Sequence, residues 1–456
     1  MNLKLRLAIG CLLATSATLS APPAGAADLL DVYQRALQSD PSIREADATR
    51  LASREAKPQA WASLLPQLNG SASITKSKSD GGQLLPGTTT VVDLTTDTTT
   101  KRYGASLSQS IFHWDQWVAL KRADEQVALA EATYRAAEQD LIVRVAQRYF
   151  NVLAAQDTLD ASVAAAEAAS RQLEQAEKRF EVGLIAITDV QDARAERDRT
   201  AADVISAKRS LATNQELLRE ITGEGVDDLV APGDNMVLKD PNPTAPEKWV
   251  STAMEQNLSL IAARLNSDIA SKNVDAARSG HLPSLDLNAT YGNTDNDVDT
   301  TIGTNTSTRS TTQDSKSIGL SLSIPIYSGG ATQSRVRQQV YTFRAARERV
   351  ERVSRETERA ARDNYLGVVS NIARVQALKQ AYESSKTALQ ATQAGYDVGT
   401  RTSVDVLISQ RALYSAQTNY LKSRYDYINS VLALEQAAGT LNKDDVVEIN
   451  NWLNQK

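Results

Sequence analysis

Phe180-Glu181-Val182-Gly183-Leu184-Ile185-Ala186-Ile187-Thr188-Asp189-Val190 returns 216 residues later as Tyr396-Asp397-Val398-Gly399-Thr400-Arg401-Thr402-Ser403-Val404-Asp405-Val406. Nearly the same spacing connects Leu65-Pro66-Gln67-Leu68 with Leu282-Pro283-Ser284-Leu285, and Gly104-Ala105-Ser106-Leu107 with Gly319-Leu320-Ser321-Leu322. Three separated landmarks on one offset make the chain a tandem duplication, and such a period constrains the fold more than any local pattern. The copies span 27–222 and 247–438. A linker rich in Gly, Pro and Asp joins them over 223–246, and a tail, 439–456, follows.

Each copy reads in one order: a helix, two short strands, two long helices. Asp115 to Val182 holds neither Gly nor Pro, which predicts a helix over 115–182. At ~1.5 Å per residue it would be roughly 100 Å long. Its counterpart is 331–394, interrupted only by Gly367, and shorter helices follow at 188–222 and 403–438. Val406, Leu413, Tyr420, Tyr427 and Leu434 recur every seventh residue, as do Val190, Val204, Leu211 and Leu218 with Arg197 as the exception. A strict period of seven needs a left-handed supercoil against a neighbouring helix. The fold class is mainly α with a small β part, and the shape is elongated.

The expected strands, 68–76, 102–112, 285–292 and 316–327, alternate. Ile318, Leu320, Leu322, Ile324 and Ile326 take one face, with Gly319, Ser321, Ser323 and Pro325 on the other. Strands crossing a bilayer alternate in this way, and so does a soluble antiparallel sheet with one wet face. Thr88–Thr100 and Asn293–Thr312 read as long polar loops at the far ends. Four strands cannot close a barrel, and open edges are not tolerated in lipid, so the membrane alternative requires several copies. Phe112, Trp114, Trp117 and Tyr327 follow the strands, where an interfacial belt and simple packing at the turn suit them equally.

Composition removes other classes. The chain has 456 residues and a net charge of −5, which argues against nucleic acid as a partner. One cysteine, Cys11, and two histidines leave no disulfide and no zinc cluster. His113 and His281 are isolated, and there is no phosphate loop or nucleophile elbow, so no catalytic residue, metal or cofactor is expected. Residues 1–26 read as a signal peptide. Lys4 and Arg6 precede an apolar run, and Ala24-Gly25-Ala26 offers a cleavage site. The surroundings of Cys11 do not suit lipidation. No later run approaches the ~18 apolar residues of a membrane helix.

The chain resembles the TolC family of outer-membrane channel proteins. Leu30-Asp31-Val32-Tyr33-Gln34-Arg35-Ala36, Val182 to Val190, Val398 to Leu407 and Gly439-Thr440-Leu441-Asn442 carry the resemblance, which covers essentially the whole chain after residue 26. It implies a homotrimer with a shared transmembrane β-barrel in outer-membrane lipid and a periplasmic tunnel of helices. It implies no chemistry, but docking to a periplasmic adaptor and an inner-membrane ABC exporter or proton-driven efflux transporter, for type I protein secretion or multidrug efflux. The turns Val182-Gly183-Leu184 and Val398-Gly399-Thr400 match the adaptor docking points. Thr188, Asp189, Tyr396, Arg401 and Arg424 match polar links that hold the tip closed, and Asp405 matches a pore constriction. The family's best-known member carries a second aspartate three residues on, where this chain has Ile408. The residues also allow a capping box between Thr188 and Gln191. A soluble periplasmic coiled coil or an adaptor is the alternative, disfavoured by the duplication and by the strands.

Overall fold

The computed structural model describes residues 26–84, 87–226, 228–233 and 236–453. The expected signal segment, with Cys11, lies almost entirely outside the described residues. The first copy opens with three helices, α1 (Leu29–Ser39), α2 (Pro41–Arg54) and α3 (Ala56–Ala62). The single opening helix expected here is thus broken. Asp40 turns extended, its carboxylate accepts from the Ser42 N–H at 2.8 Å, and Pro41 starts the new helix.

Two strands follow, β1 (Gln67–Leu84) and β2 (Val91–Phe112), then two helices, α4 (Trp114–Glu181) and α5 (Ile187–Thr222). The second copy comprises α6 (Pro246–Gln256), α7 (Leu258–Arg278), β3 (Ser284–Ile302), β4 (Asn305–Ser323), α8 (Ala331–Asp397) and α9 (Ser403–Ala438). The tail is not loose, because it folds as α10 (Lys443–Leu453) and places Val446, Ile449 and Trp452 in the core.

The strands are longer than their apolar alternation suggested. They form one antiparallel sheet in the order β1-β2-β3-β4, so β2 and β3 join the copies while β1 and β4 are edges. Thr88–Thr100 and Asn293–Thr312, expected as loops, are mostly ladder. Their β-branched threonines favour strand, and side chains pair across it: Thr95 donates to Asp80 at 2.8 Å and Thr100 to Asn296 at 2.7 Å. The β3–β4 turn shrinks to Gly303 and Thr304. β4 stops at Ser323 rather than 327, since Pro325 has no N–H to give a ladder.

The helices run as antiparallel pairs, α4 along α5 and α8 along α9, with α7 between α4 and α8. The core lies near mid-length of α4, where Leu141 to Leu153 meet α1, the ends of α5 and α9, and α10. Tyr149 is fully buried and its hydroxyl donates to the Val230 carbonyl at 2.6 Å, pinning the linker. No described helix is long and apolar enough to cross a membrane. Phe112, Trp114, Trp117 and Tyr327 are exposed rather than packed at the turns.

Candidate functional site

The end of the helical rod farthest from the sheet holds two equivalent turns. The α4 helix closes on Gly183 at φ +75°, with Leu184 N–H donating to Arg179 O at 2.9 Å and Gly183 N–H to Phe180 O at 2.9 Å. The α8 helix closes identically on Gly399 at φ +80°, with Thr400 N–H to Gly395 O at 2.8 Å and Gly399 N–H to Tyr396 O at 3.1 Å. This pairing requires a left-handed residue after the helix, which glycine adopts without steric cost. The turns hold apolar side chains out to solvent: Val182, Leu184 and Val398 are 69%, 72% and 76% exposed.

The helices leaving the turns begin differently. Thr402 caps α9, its hydroxyl accepting from the Asp405 N–H at 3.2 Å while Asp405 accepts from the Thr402 N–H at 2.9 Å. Hydrogen bonds from the Thr402 N–H and hydroxyl, with the Arg401 charge, hold the Asp405 carboxyl below the usual carboxylate range. The equivalent residue in the first copy is Ala186, which has nothing to cap with. The box expected of Thr188 and Gln191 is therefore absent, because α5 starts at Ile187 and puts Thr188 inside its first turn.

Tyr396 is buried under the Arg179 guanidinium, 4.6 Å from the ring centroid, so the ends of α4 and α8 touch. Its hydroxyl has no partner among the described residues. The stem of Arg401 lies against Gly395, where an added Cβ would sit 2.8 Å from the Arg401 Cγ. Thr188 is exposed and Asp189 half-buried on the other hairpin, and neither makes a side-chain hydrogen bond among the described residues. One chain therefore does not link them to Tyr396 or Arg401. Arg424 is not at the tip at all. It lies 21 residues into α9, about 30 Å along the helix, and is buried with its guanidinium donating to the carbonyls of Pro232, at 2.9 Å, and Gly233.

The ion cluster that ties the hairpins together was not visible in the sequence. Glu196 of α5 is buried and accepts from Arg199 at 2.7 Å and 2.9 Å, and from Arg411 of α9 at 2.8 Å through Nε and again through a second nitrogen. Burial raises the Glu196 carboxyl, but the hydrogen bonds and charges of the two arginines outweigh it and hold it at about 2. The Glu196–Arg199 spacing is legible along one helix, whereas Arg411 arrives from the other copy. His113 likewise gains a carboxylate from the fold, Asp286 of β3 at 3.0 Å, besides Asp115 of its own turn at 3.5 Å. Among the described residues no group of acidic, His or Cys side chains could hold a metal.

Long paired helices joined to a small open sheet, twice over in one chain, define a class of membrane exit channels. The chain belongs to the family described as Outer membrane efflux protein, which it matches over residues 32–224 and 249–440. It is 39% identical over 430 residues to outer membrane protein TolC of Vibrio cholerae, covering 94% of each chain. It is 28% identical over 422 residues to alkaline protease secretion protein AprF of Pseudomonas aeruginosa, covering 92% of this chain and 85% of that one. The solved structure of the Campylobacter jejuni CmeC outer membrane channel superposes with a TM-score of 0.74 at 19% identity, covering 100% of this chain and 98% of that one. The protein is an outer-membrane exit channel, and the soluble coiled-coil alternative is left without support.

Proposed function

We propose that three copies close one barrel and one helical tunnel, and that this duct takes cargo from an inner-membrane pump through a periplasmic adaptor. The observation that carries the reading is the sheet. Among the described residues its edges β1 and β4 pair with no further strand, and its apolar face is bare, with Leu68, Ile74, Ile318, Leu320 and Leu322 all exposed. Unpaired backbone at an edge cannot face lipid, so each β4 must meet the β1 of another copy. Two copies would give eight strands and three give twelve; the trimer follows the family resemblance.

The duct carries out no chemistry of its own and needs no cofactor. Adaptor hairpins dock on Val182-Gly183-Leu184 and Val398-Gly399-Thr400, where exposed apolar side chains sit on fixed turns. Thr188 and Asp189 of one copy meet Arg401 of the next, because all three are left unpaired in a single chain, and Tyr396 steadies the α4 and α8 ends. Arg424 is removed from this set by its place under the linker. Asp405 faces the lumen with Ile408 one turn on, the first half-buried and the second exposed along α9, so a single carboxylate ring lines the constriction. That predicts weaker cation selectivity and weaker block by multivalent cations than two such rings would give.

The cargo follows from the pump. The family is described as Outer membrane efflux protein and AprF is named for alkaline protease secretion, so the same architecture serves more than one task. Photo-crosslinkers at Leu184 and Val398 in intact cells should capture an adaptor with an ABC exporter, a proton-driven transporter or both. Capture of neither, with the protein correctly in the outer membrane, contradicts the docking assignment. Arg401→Ser should raise closed-state conductance in planar bilayers, and an unchanged conductance would remove Arg401 from the gate.

A further inference from the structure

The strand register contains a pattern that neither the fold nor the duct requires. On the apolar face, each strand carries large or small apolar side chains, interrupted by Gln109 on β2, up to a last one, and then turns polar at the next position on that face. The last apolar residues are Ile74 on β1, Tyr103 on β2, Tyr291 on β3 and Ile318 on β4. The first polar ones are Lys76, Lys101, Asn293 and Lys316. The register locks these into a staircase. Ile74 lies opposite Lys101, Tyr103 opposite Asn293, and Tyr291 opposite Lys316. The border thus climbs by two residues at every strand. A level plane cuts the tilted strands of a barrel at shifted positions, so an oblique border on the register is how a flat membrane boundary is written.

Three of the four positions just outside that border are lysine, on three different strands. All three are exposed, and among the described residues none is ion-paired with a carboxylate. Lys316 instead lies 5.6 Å from the Tyr291 ring centroid, an arrangement that leaves its ammonium at the aromatic edge of the apolar band. Carboxylates also stand on this face outside the border: Asp295 on β3 directly opposite Lys101, Asp314 on β4 two residues on from Lys316, and Asp297 and Asp299 farther out. The hairpins point away from the periplasmic helices, so this border belongs to the outer leaflet.

We infer that Lys76, Lys101 and Lys316 form a row that binds phosphorylated headgroups of outer-leaflet lipid, fixing the height of the sheet in the membrane. The inference rests on the membrane-crossing reading of the sheet. Positive charge at the level of anionic phosphate, directly above the apolar band, is the complementarity that carries it. A basic residue near an anionic membrane surface contributes about fivefold in affinity.

The test uses the full chain purified in detergent and examined by native mass spectrometry. The probes are a bisphosphorylated, acylated glucosamine disaccharide and the same lipid with both phosphates removed. The wild type should retain the phosphorylated lipid about a hundredfold better, the product of three such contributions. Lys76→Gln, Lys101→Gln and Lys316→Gln combined should erase that preference, while the three Lys→Arg changes combined keep it. Lys208→Gln, Lys379→Gln and Lys386→Gln on the helices should leave it intact. Equal retention of both lipids by the wild type overturns the inference without needing any variant, and so does an unchanged preference in the glutamine triple. Vesicle association after alkaline washing separates the two levels of failure. A protein that stays in the vesicles but shows no phosphate preference loses only the lysine row, and one that washes off loses the membrane reading as well.

Discussion

The two copies carry long helices of nearly equal length, 68 residues in α4 and 67 in α8, and use them in opposite ways. The α4 helix buries Leu141, Ile142, Val145, Tyr149, Phe150 and many small residues against α1, α5, α9 and α10. The α8 helix buries only Thr357, Ala361, Val368, Val375 and Tyr396, while Tyr341 and Leu366 stay exposed. A helix of this length is not held by its backbone propensity; it needs a packed face. The first copy finds that face within the chain, and the second leaves most of its own uncovered there. Duplication thus supplied one element twice, and divergence left one as the internal keel and the other with a largely unburied length, which the proposed assembly would cover.

Tyr149 and Tyr365 put the contrast at a single position, since they lie 216 residues apart and both donate to the linker, at Val230 O and Thr244 O. Tyr149→Ala should cost about 3–5 kcal/mol, as removal of a fully buried aromatic does. Tyr365→Ala should cost well under half as much in chemical denaturation of the solubilised protein. Equal losses would mean that α8 is as much a folding element as α4, and the comparison would break.

A smaller effect probes the tie between the copies. Arg411→Ala leaves buried Glu196 with Arg199 alone and should cost about 1.5–3 kcal/mol, the range for hydrogen bonds to charged groups. The pH dependence has a fixed sign. Glu196 is held at about 2 against an ordinary value of 4.5, so its contribution is complete above about pH 4.5 and fades as the pH falls towards 2. Spin-label distances between α5 and α9 should therefore widen on acidification in the wild type, and much less in the variant. Widening on raising the pH would contradict the assignment.

The smallest effect separates the two tips. Thr402→Ala should loosen the first turn of α9 by about 1 kcal/mol, and Ala186→Ser should tighten α5 by a similar or smaller amount. Hydrogen exchange at 403–406 and 187–190 reads both, and unchanged protection in each would remove the cap as the difference between the hairpins.

Much of this was legible in the sequence because it repeats or because it is long. The offset between Val182-Gly183 and Val398-Gly399, the uninterrupted stretch from Asp115 to Val182 and the alternation around Leu320 each rest on local geometry alone. The strand ends were not legible, since Thr95 and Asp297 look like loop residues until a partner strand satisfies them. Nor was the place of Arg424, whose guanidinium is held by linker carbonyls that the sequence cannot bring to it. The tip was legible only as turns and charges. One chain leaves Asp189 and Arg401 apart, so the links proposed there need a second copy that no local pattern reveals.

The central claim is that the bare edge of β4 and the bare face of α8 are covered by other copies of this chain. Native mass spectrometry of the protein extracted from the outer membrane tests it most directly. The account predicts a species of three chains, with cysteines placed on β1 and β4 forming a disulfide only between different copies. A stable single chain, or one that stays soluble without detergent, would contradict it.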